Sequence, residues 1–399
     1  MNRTYGGSRA PRGPRGNAPR RFSPQRGRRN TGSYIDVAKF VNKAVITEEV
    51  EKFVPQNTFP DFNLQPLLKK NIEAKGYLNP TPIQDRAIPH IMRGEDIVGI
   101  ANTGTGKTAA FLIPLINQII QDPRRKALIV VPTRELANQI DEELRAFAKA
   151  SSLFSVLCIG GAGIGKQMSE LGHRHHFVIG TPGRLKDLIE RKRLNLAGFQ
   201  TVVLDEADRM LDMGFIRDIR YMMALMPKER HTLFFSATLS PEIEKLIGEF
   251  LKTPARISVK TQDTSKNVHQ DVIRVNAGET KFETLANLLK DPEFSKVLVF
   301  GRTKHGVEKL STELIKRGFK AESIHGNKNQ GQRQRALDMF KNDQAQVLIA
   351  TDVAARGLDI SGVTHVINFD LPATYDDYVH RIGRTGRGNK KGKALTFID

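Results

Sequence analysis

The sequence predicts an α/β fold of two tandem domains, each a parallel sheet with helices on both faces, joined by a short linker. Short apolar runs carry the first part of that expectation: Ala127-Leu128-Ile129-Val130-Val131, Phe177-Val178-Ile179, Thr201-Val202-Val203-Leu204 and Thr232-Leu233-Phe234-Phe235 alternate with helical segments. Unbroken apolar runs of this length suit strands covered on both faces, and their alternation with helices suits parallel pairing. A polar break from Lys260 to Asn267 is the second observation, and a fresh alternation from about Gln270 is the third. The later buried strands are Lys296-Val297-Leu298-Val299-Phe300, Gln346-Val347-Leu348-Ile349-Ala350 and His365-Val366-Ile367-Asn368-Phe369. A chain of 399 residues, 39% of them hydrophobic, is long enough for two cores.

Residues 1–34 form a separate region by composition. Residues 1–30 hold nine arginines and no Asp, Glu or Lys, which is nearly half of the net charge of +19. Such a charge points to a polyanionic partner, and the scarcity of apolar surface predicts disorder. The Gly and Pro content of Arg12-Gly13-Pro14-Arg15-Gly16 argues against the amphipathic helix of an organellar transit peptide. Residues 35–56, with Ile35, Val37, Ala38, Val41, Val45 and Ile46, are expected to form a short helical extension docking on the first domain. The first domain then spans 57–259, the linker 260–269 and the second domain 270–399. No run of about 18 apolar residues and no secretory leader is present, so a soluble chain of the cytoplasm is expected. The single cysteine, Cys158, lies in Ser155-Val156-Leu157-Cys158-Ile159 and reads as a core strand position without a redox role.

Two motifs carry chemistry. Ala101-Asn102-Thr103-Gly104-Thr105-Gly106-Lys107-Thr108 stands between the apolar Ile97-Val98-Gly99-Ile100 and the apolar start of a helix. That context suits a phosphate loop: Thr103, Gly104, Thr105 and Gly106 turn backbone N–H groups toward phosphates, Lys107 meets β/γ oxygens and the Thr108 hydroxyl reaches Mg²⁺. Asp205-Glu206-Ala207-Asp208 follows the run Thr201–Leu204, which places two acids beyond the C-terminal end of a buried strand. A magnesium ion needs hard oxygen ligands there, and hydrolysis needs a carboxylate to orient water. Two other clusters are read without function. His173, His175 and His176 lack an accompanying Cys or carboxylate pattern and read as a solvated basic loop, and Gly160-Gly161-Ala162-Gly163-Ile164-Gly165 lacks the setting of a dinucleotide site.

The A-x-T-G-x-G-K-T loop, Asp-Glu-Ala-Asp and Ser236-Ala237-Thr238 together resemble a DEAD-box RNA helicase of superfamily 2, from about Phe59 to the C-terminus. Further blocks agree in order: Gly76 to Gln84, Pro132-Thr133-Arg134-Glu135-Leu136, Gly160-Gly161, Thr181-Pro182-Gly183-Arg184, His325-Gly326, Thr351 to Asp359 and His380 to Arg387. Ala101 departs from the glycine that opens the general phosphate-loop pattern. The resemblance implies two RecA-like domains and ATP and Mg²⁺ as cofactors. Gln84 would read the adenine edge, with Tyr77 stacked near the base, Phe59 behind it and Asp359 near the ribose. Asp205 would hold Mg²⁺, in part through water, with Thr108, and Glu206 would activate the attacking water. Arg384 and Arg387 match arginine fingers, and Ser236, Thr238 and His380 match coupling elements. RNA contacts would come from Thr133, Arg134, Gly161, Thr181 and Arg184 in the first domain and Arg302, Thr303, Gln330, Arg333 and Thr351 in the second. Gly183 would let a helix start press close to its strand.

The second domain supplies the arginines that the first lacks near a γ-phosphoryl group, so catalysis is expected to require closure of the cleft. Hydroxyls, amides and arginines bind sugar and phosphate and leave base edges unread, so RNA, single-stranded or in short duplexes, is the expected partner of a monomer, with ribonucleoproteins as further partners. An ATP-gated RNA clamp and a catalytically silent scaffold are the alternatives to an unwinding enzyme; intact Lys107, Glu206, Arg384 and Arg387 argue against the scaffold. The arginine-rich arm would add salt-sensitive, sequence-tolerant RNA affinity, or serve only as a solubilising tail. Deleting residues 1–30 is expected to weaken RNA binding in low-salt titrations while turnover at saturating RNA stays nearly intact; unchanged affinity would leave the solubilising role.

Overall fold

The computed structural model describes residues 53–102, 104–259, 268–276, 278–355, 360–386 and 392–398, together with Met1, Gly6, Phe40 and Val41. Among the described residues, the first sheet has seven parallel strands: β1 (Ile97–Ile100), β2 (Ala127–Val130), β3 (Ser155–Cys158), β4 (Phe177–Gly180), β5 (Thr201–Leu204), β6 (His231–Ser236) and β7 (Ala255–Ser258), ordered β3-β4-β2-β5-β6-β1-β7. The second has six: β8 (Val268–Arg274), β9 (Val297–Phe300), β10 (Ala321–Ile324), β11 (Val347–Ala350), β12 (His365–Asn368) and β13 (Gly392–Ile398), ordered β10-β11-β9-β12-β13-β8, again all parallel. The predicted strands and the two-sheet class are observed. The edge strand β8 starts at Val268, so the linker predicted over 260–269 ends two residues early, and its residues 260–267 lie outside the described ones.

Strand alternation builds two cores per sheet. On β2, Ala127 and Ile129 face one buried cluster while Leu128 and Val130 face the other. On β9, Val297 and Val299 face one side and Leu298 and Phe300 the other. Helices cover both faces; the Lys107–Gln121 helix buries most of its length, including Phe111, Leu112 and Ile116. Cys158 is fully buried on β3, and burial pushes its thiol up to about 12, so it is inert as a nucleophile at neutral pH. No described helix is long and apolar enough to cross a membrane.

The chain enters the first lobe through Asp85, whose carboxylate accepts from Gln56 N (2.8 Å), Asn57 N (3.0 Å) and Asn57 Nδ2 (2.8 Å). Ahead of that point the expectation of an extension docked on the first domain needs correction. Phe40, outside the apolar set that suggested the helix, is 1% exposed and packs in the core of the second lobe, edge-on to Tyr378 with ring centroids 4.8 Å apart. An aromatic ring goes where the largest apolar contact is offered, and sequence neighbourhood does not decide that. The arginine-rich arm and most of residues 35–52 lie outside the described residues.

A buried imidazole at the base of the second sheet generates a pH dependence. His365 stacks on Phe294 at 4.0 Å between centroids, and burial holds its imidazole down to about 4 although the Glu293 carboxylate pulls upward. As pH falls below 6.5 the unfolded chain takes up a proton that the folded chain refuses until about 4. Stability present at neutral pH is therefore lost as pH falls across that window. At pH 5 the loss from this group is about 2 kcal/mol. Urea midpoints at pH 7 and pH 5 should differ less for His365→Phe, which keeps a ring against Phe294, than for the wild type.

Candidate active site

The strand order brings three loops together, because β1, β6 and β5 are successive neighbours whose C-terminal ends share one edge. Ligands of open α/β sheets bind at such an edge. The loop after β1 ends at Gly106, whose backbone sits at φ +93, and the helix begins at Lys107. A side chain at Gly106 would stand 2.5 Å from Gln84 Nε2 and 2.9 Å from Thr81 Oγ1, so glycine is required by both conformation and space. Lys107 is 6% exposed and its Nζ has no hydrogen-bond partner among the described residues; it lies 3.8 Å from Asp205 Oδ1. Thr108, at the first turn of the helix, is half-buried.

Beyond β5, Asp205 is 2% exposed, and burial pushes its carboxyl up to about 6 against the pull of Lys107. Glu206 is 6% exposed and takes a left-handed backbone, φ +52, as the cap of the Ala207–Asp212 helix. A non-glycine residue there is uncommon, and this turn aims adjacent acids into one cleft. Asp208 has a different task, which the motif alone does not reveal. Its Oδ2 accepts from Ala237 N (3.1 Å), Thr238 N (3.0 Å) and Thr238 Oγ1 (3.1 Å), tying the acidic turn to the loop after β6. Ser236 Oγ donates to Thr238 O at 2.8 Å within that loop.

A cleft of about 390 Å³ gathers Tyr77, Gly106, Lys107, Thr108, Asp205 and Glu206. Gly104 of the same loop and Lys341 of the second lobe also line it. Thr105 Oγ1 donates to Asn102 O at 2.8 Å, closing the loop on itself. Tyr77 is half-buried, donates to Glu143 Oε1 (2.9 Å), and meets Phe59 and Phe147 edge-on. Phe59 lies behind it, 4% exposed. Gln84 accepts from Thr81 N (2.9 Å) and donates to Gly106 O (3.1 Å). One lone pair and one N–H of its amide remain, which matches an adenine edge that donates and accepts. Thr103, Asp359 and Arg387 lie outside the described residues.

The second lobe presents a short helix, Tyr375–Ile382, with Arg384 just past its end. His380 feels Arg209 and Asp208 of the first lobe and Arg384 of its own, while burial holds its imidazole down to about 4. His380, Arg381, Arg384 and Arg209 line one small cavity. Arg381, which motif reading left without a role, forms a bidentate pair with Asp352 (2.5 and 2.7 Å) and bonds Asn368 Oδ1 and Asp370 O. It fixes the helix, being 2% exposed.

A second cleft, about 430 Å³, collects Thr133, Arg134, Thr181, Arg184 and Arg333. Arg134 lies against Gly161, where a side chain would come within 2.2 Å of its Nη1, and the backbone there is at φ +77. Arg184 donates to Gln167 Oε1 (2.9 Å) and Ala162 O (3.3 Å). Thr133 caps the helix that starts at Arg134. Arg333 reaches across to Glu135, Nη2 to Oε2 at 2.9 Å, the two being 11% and 2% exposed. Glu135 belongs to the Pro132–Leu136 motif, which gave it no role; nothing in its spacing announces its ion-pair partner in the other lobe. Burial and the nearby Arg333 lower the pKa of Arg134. Arg333 Nε and both amide atoms of Gln330 are buried without partners among the described residues. Thr351 is half-buried at the end of β11, whereas Arg302 and Thr303 are exposed and line no part of this cleft.

Two expectations are corrected here. A side chain at Gly183 would meet nothing within 4 Å, so close packing does not explain it; the tight position is Gly180, 2.5 Å from Cys158 O. His173 alone is exposed in the histidine cluster, since His175 stacks on Phe199 and His176 Nδ1 accepts from Phe154 N. Apolar packing claims two of the three rings, and among the described residues no group of three or more His, Cys, Asp and Glu side chains is placed to hold a metal ion.

Residues 81–246 match the family model of the DEAD/DEAH box helicase, and residues 280–389 match the helicase conserved C-terminal domain. The DEAD-box ATP-dependent RNA helicase CshA of Bacillus licheniformis is 47% identical over 343 residues, 86% of this chain and 70% of that protein. Among solved structures, S. cerevisiae Dbp5 bound to RNA and ADP BeF3 is 29% identical with a TM-score of 0.76, over 86% of this chain and 89% of that one. A DEAD box protein from Methanococcus jannaschii is 40% identical with a TM-score of 0.51, over 86% and 93%. Gly106→Ala is expected to lower nucleotide affinity at least tenfold without unfolding the chain, as read by titration with a fluorescent nucleotide; unchanged affinity would show that Gln84 and the loop yield to the added methyl.

Proposed function

The chain belongs to the DEAD-box helicases, and from that premise we propose that it couples ATP binding and hydrolysis to local, non-processive separation of short RNA duplexes or remodelling of ribonucleoproteins. It is an ATP-dependent RNA helicase. The observation that carries the reading is the buried meeting of Lys107, Asp205 and Glu206 at the ends of β1 and β5, while Arg384 of the second lobe shares a small cavity with His380 and the first lobe's Arg209.

Each residue has a task that its setting supports. Lys107, a cation shielded from water, meets the β/γ oxygens of ATP; low local dielectric strengthens that attraction. Glu206 orients and deprotonates the attacking water. Arg384, with Arg387, stabilises charge developing on the transferred phosphoryl group when the lobes meet. Gln84 and Tyr77, supported by Phe59, hold the base, the loop Thr103–Thr108 cradles phosphates and Asp359 serves the ribose. The donor set fits magnesium: Asp205 and Thr108 offer hard oxygens, and the raised pKa of Asp205 marks a carboxylate that would gain from a cation. Bound there, the ion neutralises phosphate charge.

Coupling follows from Asp208. Its three hydrogen bonds to Ala237 and Thr238 link the acidic turn to the loop carrying Ser236 and Thr238, while His380 brings the second lobe to the same turn. RNA occupies the cleft lined by Thr133, Arg134, Thr181, Arg184 and Arg333, with Gly161, Gln330, Thr351, Arg302 and Thr303 as further contacts. The unpartnered atoms of Gln330 and Arg333 support a polar ligand there. The higher whole-chain similarity to RNA-bound Dbp5 than to the M. jannaschii protein, despite lower identity, supports a lobe arrangement ready for RNA. One chain supplies both halves of the site, so the proposed working unit is a monomer, acting in the cytoplasm.

Steady-state ATP hydrolysis with single-stranded RNA, with DNA of equal length and with neither tests the reading. RNA alone should stimulate turnover, and Glu206→Gln should reduce it by roughly 100-fold or more, the scale of a general base. Equal stimulation by DNA, or full activity in Glu206→Gln, would overturn it.

A further inference from the structure

Phe40 precedes the first lobe in sequence yet is buried in the second. Its ring lies at 68° to that of Tyr378, an edge-to-face pair of the favourable kind. Tyr378 is itself fully buried, and its hydroxyl donates to Gln270 Oε1 of β8 at 2.9 Å. Tyr378 thus bridges the edge strand of the second sheet to the Tyr375–Ile382 helix, and Phe40 packs against that bridge. The same eight-residue helix carries His380 and Arg381, and Arg384 follows it. Arg381 holds the helix through Asp352 and Asn368, so one side is fixed by hydrogen bonds and the other by aromatic packing.

We propose that Phe40 is a positioning residue: an aromatic anchor that packs in the second lobe against Tyr378 and sets the pose of the helix presenting His380 and Arg384 to the phosphate site. The proposal rests on the ATPase reading above. Phe40 acts through Tyr378, the ring it packs against. Losing the ring leaves a cavity beside a short helix, and small displacements of groups that meet the phosphoryl site are costly in rate. The effect belongs in turnover, because the nucleotide is held mainly by the first lobe.

The chain contains no tryptophan, so Phe40→Trp installs a single indole reporter. In the full chain without ligand its emission should be blue-shifted and several-fold protected from acrylamide, and Tyr378→Ala in that background should remove the protection. A red, freely quenched indole would overturn the seating of Phe40. In parallel, Phe40→Ala should lower RNA-stimulated kcat about three- to tenfold at unchanged KM for ATP, measured well below its unfolding midpoint, with Phe40→Leu recovering most of the rate. Wild-type kcat in Phe40→Ala would overturn the positioning role. A wild-type chain without RNA-stimulated turnover would overturn the helicase reading, while the indole would still decide whether Phe40 is seated.

Discussion

Lys107 and Asp205 are opposite charges held almost out of water, 3.8 Å apart, and much of the first lobe serves to keep them there. Removing charges from water is expensive, and attraction at that distance repays it only in part. The raised pKa of Asp205 is the visible remainder of that cost. The pair persists because the apolar strands β1 and β5, buried on both faces, leave their following residues nowhere else to go. A site that stores unsatisfied charge in this way can bind a charged ligand by relieving it, so the same desolvation that costs the first lobe stability favours a phosphate chain.

From that pair the influence travels through particular hydrogen bonds. Asp208 spends one oxygen on the loop after β6, so a shift of the acidic turn displaces Ala237 and Thr238. His380 stands against the same turn and stays neutral at physiological pH, because burial has taken its pKa to about 4. A neutral ring can sit beside Arg209 and Arg384 where a charged one would be repelled. This contact between the lobes therefore involves a neutral His380 near pH 7.

The sheets were legible because apolar runs four or five residues long have few other uses, and the phosphate loop and acids were legible because their chemistry tolerates few other residues. What stayed hidden depends on packing at a distance. Glu206 gives no sequence sign of its left-handed backbone, and Glu135 none of its partner Arg333. His175 and His176 look solvated beside Arg174 yet are claimed by Phe199 and the Phe154 backbone. Phe40 sits in a stretch whose apolar periodicity pointed to the first lobe, and only the coordinates bring it to Tyr378. Gly183 and Gly180 show the same limit, since a glycine's reason is the atom its side chain would have struck.

The cleft of Arg134 and Arg333 repeats the logic of the nucleotide site with the signs reversed. Arg134 and Arg333 are close enough to depress the pKa of Arg134, and Glu135 offsets only part of their repulsion. In the proposed RNA-binding role a phosphate backbone would supply the missing negative charge and satisfy Arg333 Nε and the Gln330 amide, which lack partners among the described residues. Because Arg333 belongs to one lobe and Arg134 to the other, that gain is available only while the lobes are together. If RNA is held by both lobes as proposed, RNA binding and closure would be two descriptions of one equilibrium, and the proposed role of Arg384 in ATP hydrolysis would draw on the same closed state.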